Sequence, residues 1–150
     1  MTTNLAVVDS NILIALVDRQ DKWHLHATEL LGKLNTSQIN IVYFDCVLNE
    51  TISVLARRSE EQKRFEQFPD LLDQLSKQVP EGLITWISGE TKRLYREILE
   101  LIRTTNAALN FNDALIALVC RELEIKTLVS FDKDFDNIGW LSRVAQIEDN

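Results

Sequence analysis

Four carboxylates stand where a carboxylate is costly. Asp9 ends the apolar run Leu5-Ala6-Val7-Val8, and Asp132 follows Lys126-Thr-Leu-Val129 after Ser130 and Phe131. Glu50 lies within Asp45-Cys-Val-Leu-Asn-Glu-Thr-Ile-Ser-Val-Leu55, and Asp113 within Asn110-Phe-Asn-Asp-Ala-Leu-Ile-Ala-Leu-Val119, both apolar helical patterns. An unpaired charge in such surroundings costs several kcal/mol, so something cationic, or water, has to meet these groups. Local explanations compete. Asp9 suits the N-cap of a following helix, and Asn110 with Asp113 three residues on has the spacing of a capping box. Glu50 has Val47 and Val54 on its own helical face, and a solvated-face explanation fits it poorly.

The elements that would position these acids read clearly from periodicity. Short apolar runs at Leu5–Val8, Ile39–Phe44, Leu83–Ile87 and Lys126–Val129 predict strands, with Arg143–Ile147 as an edge strand. Between them lie helical patterns: Asn11–Val17, one capped by Asp21 and running to about Leu34, and Asp45–Arg58. An amphipathic stretch from Ser59 to Gln78 is interrupted near Pro69, a helix opens at Ser88 or Glu90 and reaches Thr104, and another runs from Asn110 to Leu123. Strands separated by helices predict a central parallel sheet of four to five strands with helices on both faces, in one domain spanning residues 1–150. In such a sheet a ligand binds beyond the carboxyl ends of the strands, where the strand order reverses. Asp9 and Asp132 both fall at that edge.

Composition removes several alternatives. The 150 residues carry 45% hydrophobic and 26% charged side chains, with no apolar stretch near the roughly twenty residues of a membrane span. No basic residue precedes the first apolar run, so neither a secretory signal nor a transit peptide is expected, and the expected compartment is the cytoplasm. Cys46 and Cys120, far apart and each in an apolar pattern, read as buried free thiols. The four glycines are scattered singly, which excludes a phosphate-cradling glycine loop. In the acid-rich segment Asp132-Lys-Asp134-Phe-Asp136-Asn137, the sixth position is Asn137 and the twelfth Arg143, so a calcium loop fails. His24 and His26 project about 200° apart on a helix and are expected at the surface or in a cap rather than on one ion. Trp23, Trp86 and Trp140 show no interleaving with basic residues and read as core or interface. The net charge of −7 argues against a polyanionic partner. Cations held by some of the carboxylates would invert the local field, and formal charge does not decide the matter.

Taken together, Val7-Val-Asp9-Ser-Asn11-Ile-Leu, Asn49-Glu50-Thr-Ile-Ser-Val-Leu-Ala-Arg57, Asn112-Asp113-Ala-Leu-Ile-Ala and Leu128-Val-Ser130-Phe-Asp132-Lys-Asp134-Phe resemble the motifs of PIN-domain nucleases, in particular VapC-like toxins. The resemblance runs in order from Leu5 to about Val144. It implies a three-layer α/β/α sandwich and a metal-dependent endoribonuclease. It implies Asp9, Glu50, Asp113 and Asp132 as the acidic quartet, with Asp134 as a further acid and Ser10, Asn11 and Ser130 as small polar residues beside the metal. Clustered carboxylates without a soft ligand suit Mg²⁺ or Mn²⁺, and cleavage would leave a 5′-phosphate and a 3′-hydroxyl. Arg57, Arg58, Lys92, Arg96 and Arg103 are candidate phosphate contacts, though helix-surface bases are more often merely solvated. The expected partners are RNA, a separately encoded antitoxin and a second copy of the chain. The alternative from another class is a PIN-like scaffold that binds RNA or protein without cutting; a phosphatase or phosphoacceptor domain would need a Lys or Thr in matching positions near the site, and Lys126 precedes the fourth strand rather than following it.

Overall fold

The computed structural model describes residues 4–146. Its strands are β1 (Leu5–Val8), β2 (Asn40–Phe44), β3 (Ile84–Thr85), β4 (Thr127–Val129) and β5 (Ser142–Val144). Its helices are α1 (Ser10–Val17), α2 (His24–Thr36), α3 (Asp45–Glu61), α4 (Phe68–Gln78), α5 (Thr91–Thr104) and α6 (Phe111–Glu122). The strands form one sheet in the order β3-β2-β1-β4-β5, every pair parallel. The chain steps outward from β1 through β2 to β3, then crosses back to β4 on the other side of β1. Right-handed crossovers therefore put α1–α4 on one face and α5 and α6 on the other. The packing agrees, with α1 against α2, α3 and α4, and α5 against α6. This is the expected three-layer α/β/α sandwich, and its order reverses between β1 and β4.

The central strands are apolar on both sides because both faces are covered. Ala6, Val7, Val8, Leu128 and Val129 are wholly buried, and Ile12, Leu13, Leu115 and Ile116 close over them from α1 and α6. Both cysteines are buried free thiols, and burial, the largest influence on each, pushes them up to about 12, so neither is a nucleophile.

Several boundaries differ from the sequence reading, each for a physical reason. β3 is only two residues long where Leu83–Ile87 was expected. Glu81–Leu83 forms a 3-10 turn after Pro80, and the Asp45 carboxylate takes the Ile87 N–H at 2.6 Å, pulling the chain off the sheet at Trp86. Asp45 thus bridges to Ile87 and Ser88 rather than only opening α3. Pro69 does not interrupt a helix; it stands in the first turn of α4, where its missing N–H has no partner to lose. Asp21 is not the N-cap of α2, which begins at His24: its Oδ1 accepts the Trp23 N–H and its Oδ2 is taken by Arg58. His24 and His26 are not simply surface or capping residues, because their rings hydrogen-bond the carbonyls of Ala15 and Ala145, each at 2.7 Å. β5 ends at Val144, and the expected continuation to Ile147 lies outside the described residues.

An ion cluster joins the end of α1 to α3. Asp18, 2% exposed, accepts from Arg64 at 3.1 and 3.3 Å and from Arg58 at 3.3 Å, and Arg58 also reaches Asp21 at 2.8 Å. Burial acts to raise the Asp18 pKa, but the bonds from Arg64, the Gln20 amide and Arg58 outweigh it and hold the group below the ordinary carboxylate range. Arg64→Ala strips Asp18 of its main partner. Since Arg58 remains, the expected loss is about 2–3 kcal/mol, below the ~3–5 kcal/mol for full removal of a buried partner. A lower urea midpoint at unchanged slope is the result to look for.

Candidate functional site

Asp9 is placed by the end of β4 and the start of α1. Its N–H donates to Val129 O at 2.9 Å, extending the β1–β4 ladder one step beyond the strand, so its side chain emerges at the point where strand order reverses. Oδ1 accepts the Ser10 N–H at 2.8 Å, so Asp9 does cap α1. Oδ2 accepts the Ser130 hydroxyl at 2.7 Å and the Asn11 amide at 3.3 Å. The same Asn11 amide donates to Ser130 Oγ at 3.1 Å, its Oδ1 accepts the Phe131 N–H at 3.0 Å, and Ser130 Oγ accepts the Asp132 N–H at 3.0 Å. Ser130 and Asn11 therefore lock the ends of β1 and β4 together around one carboxylate.

Asp113 also has two occupations. The Asn110 side chain accepts the Asp113 N–H at 2.8 Å and Asp113 Oδ2 accepts the Asn110 N–H at 3.2 Å, a complete capping box at the start of α6. Capping fixes the side chain without sending it to solvent, for Asp113 is only 8% exposed. Glu50 projects from α3 toward both. One carboxylate oxygen from each of Asp9, Glu50 and Asp113 lies within 4.8 Å of the others. Glu50 Oε2 is buried with no hydrogen-bond partner among the described residues.

The electrostatics follow from that crowding. Burial, the largest influence, lifts Asp9 from 3.8 to about 6 against the bonds from Ser130 and Ser10, with the charges of Glu50 and Asp132 adding to the rise. Asp113 rises to about 7, again chiefly through burial, opposed by the Asn110 backbone bond and reinforced by Asp9, Glu50 and Asp132. Three convergent hard oxygens suit a hard divalent cation that retains some of its waters.

The structure brings three of the predicted acids into one group and leaves the others at its edge. Asp132 is half-buried outside the tight trio, near enough for its charge to act on Asp9 and Asp113. Asp134 is exposed; its N–H donates to Asp132 Oδ1 at 2.9 Å, and the Asp132 charge raises its pKa. Asp136 is clear of the site and pairs with Arg143, which also donates to Ser130 O at 3.0 Å. Arg143 thereby steadies the β4 end from β5, a role with no local signal because it depends on pairing between strands. Arg58 is not a free phosphate contact, being committed to Asp18 and Asp21. Arg103 pairs with Glu100, while Arg57, Lys92 and Arg96 are exposed.

A parallel sheet in this order, with acids converging at its reversal point, defines an α/β protein of PIN type. The family model of the PIN domain matches residues 6–141, and the chain belongs to that family. It is 26% identical to Ribonuclease VapC2 of Methanocaldococcus jannaschii over 94% of this chain and 93% of that protein. Among solved structures it is similar to VapBC2 from Rickettsia felis bound to a DNA fragment from their promoter, with 21% identity, 93% and 97% of the two chains covered, and a TM-score of 0.64. It is also similar to VapC20 of Mycobacterium tuberculosis, a sarcin-ricin-loop-cleaving toxin, with 22% identity, 89% and 95% covered, and a TM-score of 0.66. The likeness to these two structures is one of fold.

Proposed function

We propose that this protein is a divalent-metal-dependent endoribonuclease acting as the toxin of a toxin–antitoxin pair, with a small protein antitoxin as its partner. The observation that carries the reading is the convergence of one carboxylate oxygen each from Asp9, Glu50 and Asp113 within 4.8 Å, with Glu50 Oε2 buried and unpartnered among the described residues. Two buried acids and a half-buried third held this close are unfavourable in themselves, and a scaffold that only binds gains nothing from keeping them. The curated relative named a ribonuclease supports the same reading across nearly the whole chain.

Asp9, Glu50 and Asp113 would hold Mg²⁺ or Mn²⁺, with Asp132 at the rim and Asp134 further out. When bound, such an ion supplies positive charge for the phosphate oxygens and lowers the pKa of a coordinated water. The chain's own residues do the positioning. Ser130 and Asn11 fix the Asp9 rotamer, the Asn110 capping box fixes Asp113, and whichever Glu50 oxygen a cation does not take is available to orient the attacking water. Hydrolysis adds hydroxide to phosphorus and returns a proton to the leaving 3′ oxygen, giving a 5′-phosphate and a 3′-hydroxyl.

The reading is tested by incubating the protein with a mixed RNA pool in Mg²⁺, Mn²⁺ or EDTA and mapping the new ends. Cleavage confined to the metal conditions, with 5′-phosphate ends, is the expected result; intact RNA in all three overturns it. Ser130→Ala removes a bond to Asp9 without removing a carboxylate. It is expected to lower cleavage about 10–100-fold with the fold intact, measured as initial rates at saturating Mn²⁺.

A further inference from the structure

A cleft of about 460 Å³ opens beside the acidic group, between α1, the α1–α2 connection, α3 and the loop after β4. Asn11 belongs to both places: it lines the cleft and its amide donates to Asp9. Across the cleft stand Trp23 and Phe131, with Lys22 and Arg58 beside them. Trp23 is 45% exposed, an unusual position for a large indole that has rings to pack against. Its centroid is 5.3 Å from that of Phe131 at 31° between planes, and His26 completes the group at 5.6 Å from Phe131 and 5.9 Å from Trp23. The Lys22 ammonium lies 5.6 Å from the indole centroid. Phe131 directly precedes Asp132, and its N–H is held by Asn11, so the aromatic group is tied to the acids through the backbone.

We propose that Trp23 and Phe131 form a base-stacking subsite that takes an unpaired base of the nucleotide next to the scissile phosphate. This deepens the ribonuclease reading and rests on it for the word scissile. A π surface with a cation beside it, joined through Asn11 to a site suited to phosphate, matches the chemistry of a nucleotide, whose base offers a flat face and whose phosphates offer charge. A base within a duplex has both faces covered by its neighbours, so the subsite selects single-stranded segments, loops or bulges. Lys22 is exposed and its contact with the ring is a weak restraint, which leaves the ammonium free to move onto a phosphate when a base arrives. Sequence pattern alone placed Trp23 in core or interface, and could not show this pairing because Phe131 comes from beyond β4, far along the chain from Trp23.

The test uses the intact protein, W23A and W23F, with a single-stranded oligoribonucleotide that is cut at one position in Mn²⁺. W23A is expected to raise KM about tenfold with kcat nearly unchanged, and W23F to recover most of the loss. An abasic nucleotide beside the cleaved bond should penalise the wild type by a similar factor and add little to W23A. An unchanged KM in W23A, or an abasic penalty that adds in full to it, overturns the subsite while leaving the nuclease reading intact. A fall in kcat accompanied by a lower melting temperature in W23A marks a purely structural indole and also overturns it. Quenching of indole fluorescence by the oligonucleotide gives a readout that needs no cleavage. Quenching that disappears in W23F, in a protein that cuts nothing, upholds the subsite and defeats the nuclease reading; no Trp23-dependent quenching defeats the subsite.

Discussion

Asp9→Asn is expected to reduce RNA cleavage by at least about a hundredfold while the protein remains folded. Asp9 is the acid most constrained by the fold, with oxygens bonded to Ser10, Ser130 and Asn11 and a backbone N–H in the β1–β4 ladder. An amide of the same shape keeps the bond from Ser10 but places an N–H₂ where Ser130 and Asn11 donate, and it removes the negative charge a cation needs. The cation-dependent rise in melting temperature should vanish with the activity. Initial rates and unfolding curves on the same preparation check both, and retention of either contradicts the assignment of Asp9.

The second large effect is one of pH on the metal-free protein. In the fold, Asp9 and Asp113 keep their protons up to about 6 and about 7, whereas in the unfolded chain both titrate near 3.8. Between those limits the folded state binds more protons, so stability falls as pH rises. The contribution is fully present below about 4 and is lost as pH passes through the folded values. Its size is on the order of a few kcal/mol, shared between two groups that titrate as a coupled pair. With saturating Mn²⁺ the trend should reverse, because the cation displaces the same protons and binds more tightly as they leave. Urea midpoints between about pH 4 and pH 8, in EDTA and in Mn²⁺, give the two profiles. A metal-free profile that rises over this window contradicts the close burial of the carboxylates.

The sheet was legible because β1 and β4 are largely buried on both faces, β2 is buried toward its carboxyl end, and all three read as short apolar runs. β3 was overdrawn because its end is set by Asp45, some forty residues away, taking the Ile87 N–H. The acids show how two readings coexist at one residue. Asp9 and Asp113 were each open to capping or to chemistry, and both cap their helices while also turning toward Glu50. Capping uses the carboxylate at a helix start, and the reversal point of a parallel sheet is where helix starts converge, so the structural role delivers the side chain to the cluster. Contacts between distant segments stayed hidden: Arg58 and Arg64 with Asp18, Arg143 with the Ser130 carbonyl, and Trp23 with Phe131. None has a period or spacing to read, because each exists only once the chain has folded.

The central claim, that three convergent carboxylates form a cation site used for RNA cleavage, is most directly tested through Glu50, whose orphaned oxygen no capping role explains. Thermal unfolding of wild type and Glu50→Gln in EDTA and in Mn²⁺ should be measured alongside RNA cleavage in the same buffers. At a hundredfold excess over Kd the cation contributes about 2.7 kcal/mol, or roughly 5–10 °C for a domain of this size. The wild type should show that rise and cut RNA only with Mn²⁺, and Glu50→Gln should show neither while melting no lower than the wild type in EDTA. A Glu50→Gln protein that still gains stability from Mn²⁺ and still cuts RNA would contradict the claim.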